Sequence, residues 1–222
     1  MRNRKKWSLS EKVLFLTPAL FLGAVGAMLY LPDYSRVFEA SLEKLGIPTR
    51  EMPRRSSCQS NLKQIALGVR QYVRDYDEKH PLIATKTADF GWGGILQPYL
   101  KSTLIFHCPK NSKVVSSNPA AKGYTDYFYN ARLSNVSEAM IEFSAFTVLF
   151  GEGTSSDARY AKTQLPPEWL KPKSPAQLHF ERKSATIGGA NYAFSDGHVK
   201  WFKPQDIGVG LARNGGATFS IQ

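Results

Sequence analysis

Residues 54–81 read RRSSCQSNLKQIALGVRQYVRDYDEKHP, and the fold turns on this stretch. Its apolar positions Leu62, Ile65, Ala66, Val69, Tyr72, Val73 and Tyr76 recur every three or four residues, the repeat of a single helical face. Lys63, Arg70 and Arg74 fall on the other side. Ser56 or Ser57 can cap the start, just after a break at Pro53. The spacing predicts an amphipathic helix from these serines to about Asp77, with one stripe to bury against a sheet.

Downstream, Gly, Pro, Ser and Asn turns separate short apolar or aromatic runs, and strands are expected at 104–107, 124–130, 147–150, 191–195 and 198–202. Residues 90–100, FGWGGILQPYL, read as a loop followed by a short helix. Residues 155–184 are rich in Pro and Lys and read as a long surface loop. No internal repeat is visible. Helix first and strands afterward argues α+β, not a parallel α/β fold. The sharpest local signal is NYAFS-DG-HVKWF, in which Asp196 and Gly197 suit a two-residue type I′ hairpin turn. That turn pairs Ser195 with His198, Phe194 with Val199 and Tyr192 with Trp201, putting the last two pairs on one face.

Upstream, residues 32–53 contain a short amphipathic pattern (Val37, Leu42, Leu45) closed by Gly46 and Pro48, and read as a linker with a short helix. Before it, residues 13–31, VLFLTPALFLGAVGAMLYL, carry no charge, and Arg2, Arg4, Lys5, Lys6 and Lys12 precede them. Nineteen residues at helical rise span about 28 Å, enough to cross a hydrocarbon core of ~30 Å. The run is longer than a signal-peptide core, so a retained single-span anchor is expected. Positive charge on its amino side places residues 1–12 in the cytoplasm and residues 54–222 across the membrane. Ala19, Gly23 and Ala27, four apart, form a face on which another helix could dock closely.

The whole chain of 222 residues has 42% hydrophobic and 21% charged residues, which excludes wholesale disorder and low-complexity architecture. Its formal charge is +11. Setting aside the five basic residues and Glu11 that precede the apolar run leaves +7 on the remainder. Lys162, Lys171, Lys173, Arg182 and Lys183 concentrate in one region, where only Trp169 and Phe180 could stack on bases. Nucleic acid is therefore not expected as a partner; a lipid surface or an acidic protein fits better. Two cysteines are too few for a four-thiolate zinc site.

The helix sequence resembles that of bacterial type IV pilin-like proteins, or pseudopilins, of a subgroup with a C-terminal signature of His, nine residues, then Asp-Gly. PYLKSTLIFHCP, TVLFGEG and GGANYAFSDGHVKWF match it in order, so the resemblance covers roughly residues 54–203. It implies one membrane helix and an outer domain in which a helix packs on an antiparallel sheet. The chain also departs from the pattern. A prepilin would have Gly where Lys6 stands, although the following aromatic (Trp7) and the Glu (Glu11) are kept. The signature His falls on Thr186, and His179 is out of register. The break-rich segment 32–53 interrupts the long rod that filaments use.

Cys58 and Cys108 lie in blocks where similar proteins also place cysteines, and an oxidising compartment would permit a disulfide, with two buried free thiols as the alternative. His179, Asp196, His198, Glu152 and Asp157 form no ligand-spaced motif, and no nucleophile elbow is present. No metal, cofactor or catalysis is expected. The sequence reading is a non-enzymatic accessory subunit of a larger bacterial membrane complex, touching other membrane subunits through its helix and outer domain. The alternative is a minor pseudopilin or pilin.

Overall fold

A computed structural model describes residues 51–84, 90–109, 115–170, 189–211 and 216–221. The chain divides into units Met1–Thr49 and Arg50–Gln222. The expected anchor, the cytoplasmic segment, Lys6, Trp7, Glu11 and the face of Ala19, Gly23 and Ala27 all lie outside the described residues, as does nearly all of the linker. Among the described residues no helix is long and apolar enough to cross a membrane.

The second unit is α+β. Helix α1, Glu51–Asp75, runs 25 residues, so it begins before the serines expected to cap it. Pro53 sits in its first turn, where a missing N–H has no intrahelical acceptor to lose, and is no break. Leu62, Ile65, Ala66, Val69 and Val73 are buried along one side, while Leu67 and Tyr76 remain about half exposed. After α1 the chain makes a short helix α2, Gly91–Leu96, continued by a 3-10 turn at Gln97–Tyr99. The expected short helix thus forms but starts at Gly91, at the very beginning of the stretch read as a loop followed by a helix. The segment expected as a strand at 104–107 is instead a 3-10 turn, Thr103–Phe106. Ser102 starts it by accepting from the Leu104 N–H, and Phe106 inserts into the core.

The sheet has five strands: β1 (Thr125–Asn130), β2 (Val148–Ser156), β3 (Ala161–Lys162), β4 (Ala190–Phe194) and β5 (Val199–Phe202). Their order is β3-β1-β2-β4-β5. β1, β2, β4 and β5 pair antiparallel, but β3 joins β1 in parallel, so the sheet is mixed and not purely antiparallel. A separate parallel pair, β6 (Ile207–Gly208) and β7 (Ala217–Thr218), lies outside it. The expected loop at 155–184 is thus shorter than its composition suggested. β2 reaches Ser156, β3 follows, and a 3-10 turn at Pro167–Leu170 buries Trp169.

Both faces of the sheet are covered. On the α1 side, Trp92, Phe106, Tyr127, Tyr129 and Phe150 join the helix stripe in one cluster. On the other side Phe128, Val148, Trp169, Tyr192, Phe194 and Phe219 form a second. This explains why every residue of β1 is buried, although its sequence alternates faces. The second cluster closes over Gly151, where an added Cβ would come 2.3 Å from the Phe128 ring and 2.8 Å from that of Tyr192.

The β4–β5 hairpin forms with a register one residue away from the expected one. Ala193 pairs with Val199, Tyr192 with Lys200 and Asn191 with Trp201. The turn therefore has three residues, Ser195, Asp196 and Gly197. Only Gly197 has positive φ, at +88°. The Phe194 N–H donates to the His198 carbonyl and the Gly197 N–H to the Phe194 carbonyl, the pattern of a turn ending in a left-handed glycine. Asp196 accepts from the His198 N–H instead of adopting positive φ itself. The slip sends Tyr192 and Phe194 to the second cluster, while Val199 packs with the first.

Two outcomes follow. Gly151→Ala should lower unfolding free energy by ~1–3 kcal/mol through overpacking, whereas Gly210→Ala, with nothing within 4 Å of the new atom, should be near neutral; urea midpoints distinguish them. His80 is 3% exposed, and burial lowers its pKa to about 4. The unfolded chain takes up this proton near pH 6.5 but the fold only near 4, so stability falls as pH drops through that window. Between pH 7 and pH 5 wild type should lose about 2 kcal/mol more than His80→Gln, a difference urea titrations would read.

Candidate functional site

Beneath the amino-terminal half of α1, three elements bring their polar groups to one point. Strand alternation places Glu152 of β2 on the α1 side of the sheet, because Glu152 pairs with Tyr127, a member of the helix-side cluster. Flanking glycines at 151 and 153 let other aromatic rings crowd the strand around it. Glu152 is fully buried. Its Oε2 accepts from the Asn191 backbone N–H at 2.6 Å and its Oε1 from Asn191 Nδ2 at 2.9 Å. These charge-assisted bonds replace part of the water the carboxylate gave up. Asn191 Nδ2 also reaches the Arg55 carbonyl on α1 at 3.4 Å, linking the cluster to the helix.

The structure joins Cys58 of α1 to Cys108 in a disulfide with Cα atoms 5.1 Å apart. Both residues are essentially without solvent exposure. Glu152 Oε1 lies 3.9 Å from Cys108 Sγ. Asp126 of β1 fixes the other side of the bridge by accepting from the Cys108 N–H at 3.0 Å. Asn61, one helical turn beyond Cys58, donates to the His107 carbonyl at 2.8 Å. The charge of Glu152 reaches further still: Tyr127 and Tyr192 are both held well above the usual phenol range, first by burial and then by this carboxylate.

A second set of contacts ties α1 to the hairpin. Lys63 Nζ donates to the Gly197 carbonyl at 2.6 Å and Arg70 to the Asp196 carbonyl at 2.9 Å. His198 Nδ1 lies 2.7 Å from Asp196 Oδ1, and its ring stacks on Phe194 with centroids 4.3 Å apart. Arg55 lies 4.9 Å over the Trp201 ring. Of the three cationic residues that the sequence placed on the outer helix face, Lys63 and Arg70 therefore grip backbone carbonyls.

Of the residues singled out from sequence, Cys58 and Cys108 meet, and Asp196 and Gly197 form the hairpin tip. Asp157 makes a surface pair with Arg159 at 2.9 Å. His179 lies outside the described residues. Sequence reasoning weighed Glu152 only as a dispersed ligand candidate and missed its place against the disulfide. The available signal was a lone acid inside an apolar strand, LFGEG. Among the described residues, Cys58, Cys108 and Glu152 are the group whose ligand-type atoms lie within 4.8 Å of one another. While the S–S bond stands, its sulfurs are committed to each other and the arrangement acts as a buried staple.

The loop-entropy model gives a closure of this size about 3–4 kcal/mol. Mass spectrometry of the unreduced chain should therefore show neither cysteine alkylated, and Cys58→Ser/Cys108→Ser should lower the urea midpoint accordingly. Glu152→Ala, which strands the Asn191 donors, should cost a further ~1–3 kcal/mol.

Among known proteins, the family described as "Protein of unknown function (DUF1559)" matches residues 48–103, which cover all of α1 and the segment up to the 3-10 turn before Cys108. No curated protein and no solved structure matches the chain.

Proposed function

We propose that this chain is a non-enzymatic membrane protein with a pilin-like outer domain, serving as an accessory subunit of a larger bacterial membrane complex. The observation that carries this reading is α1 itself. The helix whose sequence resembles that of pseudopilins lies along a largely antiparallel sheet, and the family match covers it in full. In sequence it follows a charge-free 19-residue run preceded by five basic residues, so the domain is read as tethered with its amino terminus in the cytoplasm. A disulfide suits the oxidising outer side of that membrane.

The buried polar groups support a structural role. The carboxylates of Glu152 and Asp126 each accept backbone N–H groups inside the fold. Acids held in this way fix strand and loop positions; they are not presented to a substrate. Partners are then other membrane subunits, reached through the face of Ala19, Gly23 and Ala27 and through the outer domain, together with the bilayer.

The second reading is a minor pseudopilin or pilin of a type II secretion or type IV pilus system, favoured by the retained Trp7 and Glu11. Lys6, in place of the glycine that prepilin processing requires, and the interposed segment 32–53 favour the accessory subunit. Intact mass of the natively expressed protein separates the two. An uncut amino terminus in the membrane fraction is expected; loss of residues 1–6 with N-methylation would establish the pilin reading instead. Recovery of the mature chain free of membrane, without its first thirty or so residues, would end both.

A further inference from the structure

The disulfide site has a second chemical state, because the chain is synthesised with Cys58 and Cys108 as thiols. We infer that in this dithiol form Cys58, Cys108 and Glu152 bind a zinc-class divalent cation, so that a metal bridge holds α1 to the sheet where the disulfide otherwise would. The inference does not depend on the proposed membrane role.

The geometry is already close to that of a ligand set. Tetrahedral zinc with Zn–S near 2.3 Å and Zn–O near 2.0 Å sets sulfur and oxygen ligands about 3.5 Å apart and two sulfurs about 3.8 Å apart. Glu152 Oε1 stands 3.9 Å from Cys108 Sγ, and all three donor atoms lie within 4.8 Å of one another. Breaking the S–S bond asks the two sulfurs to part by little more than a side-chain rotation. Two thiolates and a carboxylate suit a borderline-soft cation, not calcium or magnesium. All three residues are fully or almost fully buried, so a metal there is shielded from competing water.

Asn191 supplies an independent observation. Its Oδ1 is buried with no hydrogen-bond partner, while its Nδ2 sits 2.9 Å from Glu152 Oε1. Turning the amide over would place the oxygen against the carboxylate, which repulsion forbids in the disulfide form. A cation between them reverses that sign and offers Oδ1 as a fourth ligand. Binding is balanced by proton release: two thiols plus one dication give a neutral dithiolate–metal unit and two protons, and no electron changes hands. Disulfide formation from the same thiols removes two electrons and two protons, so the two states exclude each other.

The test uses the full chain in detergent, reduced with a phosphine under argon, with Co²⁺ as the spectroscopic probe and Zn²⁺ as competitor. One cobalt per chain should bind, with a thiolate-to-cobalt charge-transfer band and tetrahedral visible bands that zinc erases. The oxidised chain and Cys108→Ser should lack the band. Glu152→Gln should keep it but weaken zinc binding by about tenfold or more, a loss that even outer partners of metal ligands produce. Far-UV circular dichroism covers the case in which reduction unfolds the chain: refolding under reductant should then recover the native spectrum only with zinc present. Failure of the reduced chain to bind cobalt, zinc-independent refolding without metal uptake, or a Glu152→Gln chain that binds zinc as tightly as wild type would overturn the inference.

Discussion

A carboxylate with no access to water must be met by donors or it destabilises whatever surrounds it, and the domain is arranged around that requirement at Glu152. Its two oxygens take the Asn191 backbone and side chain, which fixes β4 against β2 at the point where the sheet passes beneath α1. The same carboxylate faces the Cys58–Cys108 bridge, which fixes the helix. Breaking one of these contacts would leave a charge or an amide stranded in an aromatic interior. Strand position, helix position and loop position are therefore coupled through one small polar cluster.

The two clusters flanking the sheet are mostly aromatic, and aromatic rings pack by shape as well as by area. Trp92 meets Phe150 at 4.9 Å and Phe106 at 5.7 Å on the helix side, and Phe128 stacks with Phe219 at 5.9 Å on the other. Gly151 is the spacer that lets Phe128 and Tyr192 approach the β2 backbone from that second side. The hairpin follows the same logic. Its three-residue turn puts Phe194 among the second-side rings and leaves small Ala193 to face the helix.

How much of this was legible in the sequence depends on the range of the interactions involved. The α1 stripe was readable because helical periodicity is a local property, and its buried members include Leu62, Ile65, Ala66, Val69 and Val73. Four of the five main strands were readable for the same reason. The start of α1 was not, since Pro53 looks like a break until its place in a first turn is known. The hairpin register was missed because Asp-Gly serves both two- and three-residue turns; the choice is settled by tertiary packing of Phe194 and Ala193. Leu104 and Phe106 looked like alternating strand residues, yet only Phe106 has a core to enter, and Leu104 stays 67% exposed. Glu152 was named but not understood, because its meaning comes from residues 39 and 44 positions away.

The location of the bridge along the chain has a mechanical meaning. Cys58 lies near the start of α1, and its partner Cys108 sits 50 residues later, its N–H bonded to Asp126 of β1. Tension entering through the amino-terminal end would pass across a covalent crosslink to Cys108, which Asp126 holds against β1. The intervening segment, including most of α1 and all of α2, forms a closed loop that bears none of this pull. Its hydrogen bonds and ring contacts are spared the load, and traction falls instead on the strands that follow.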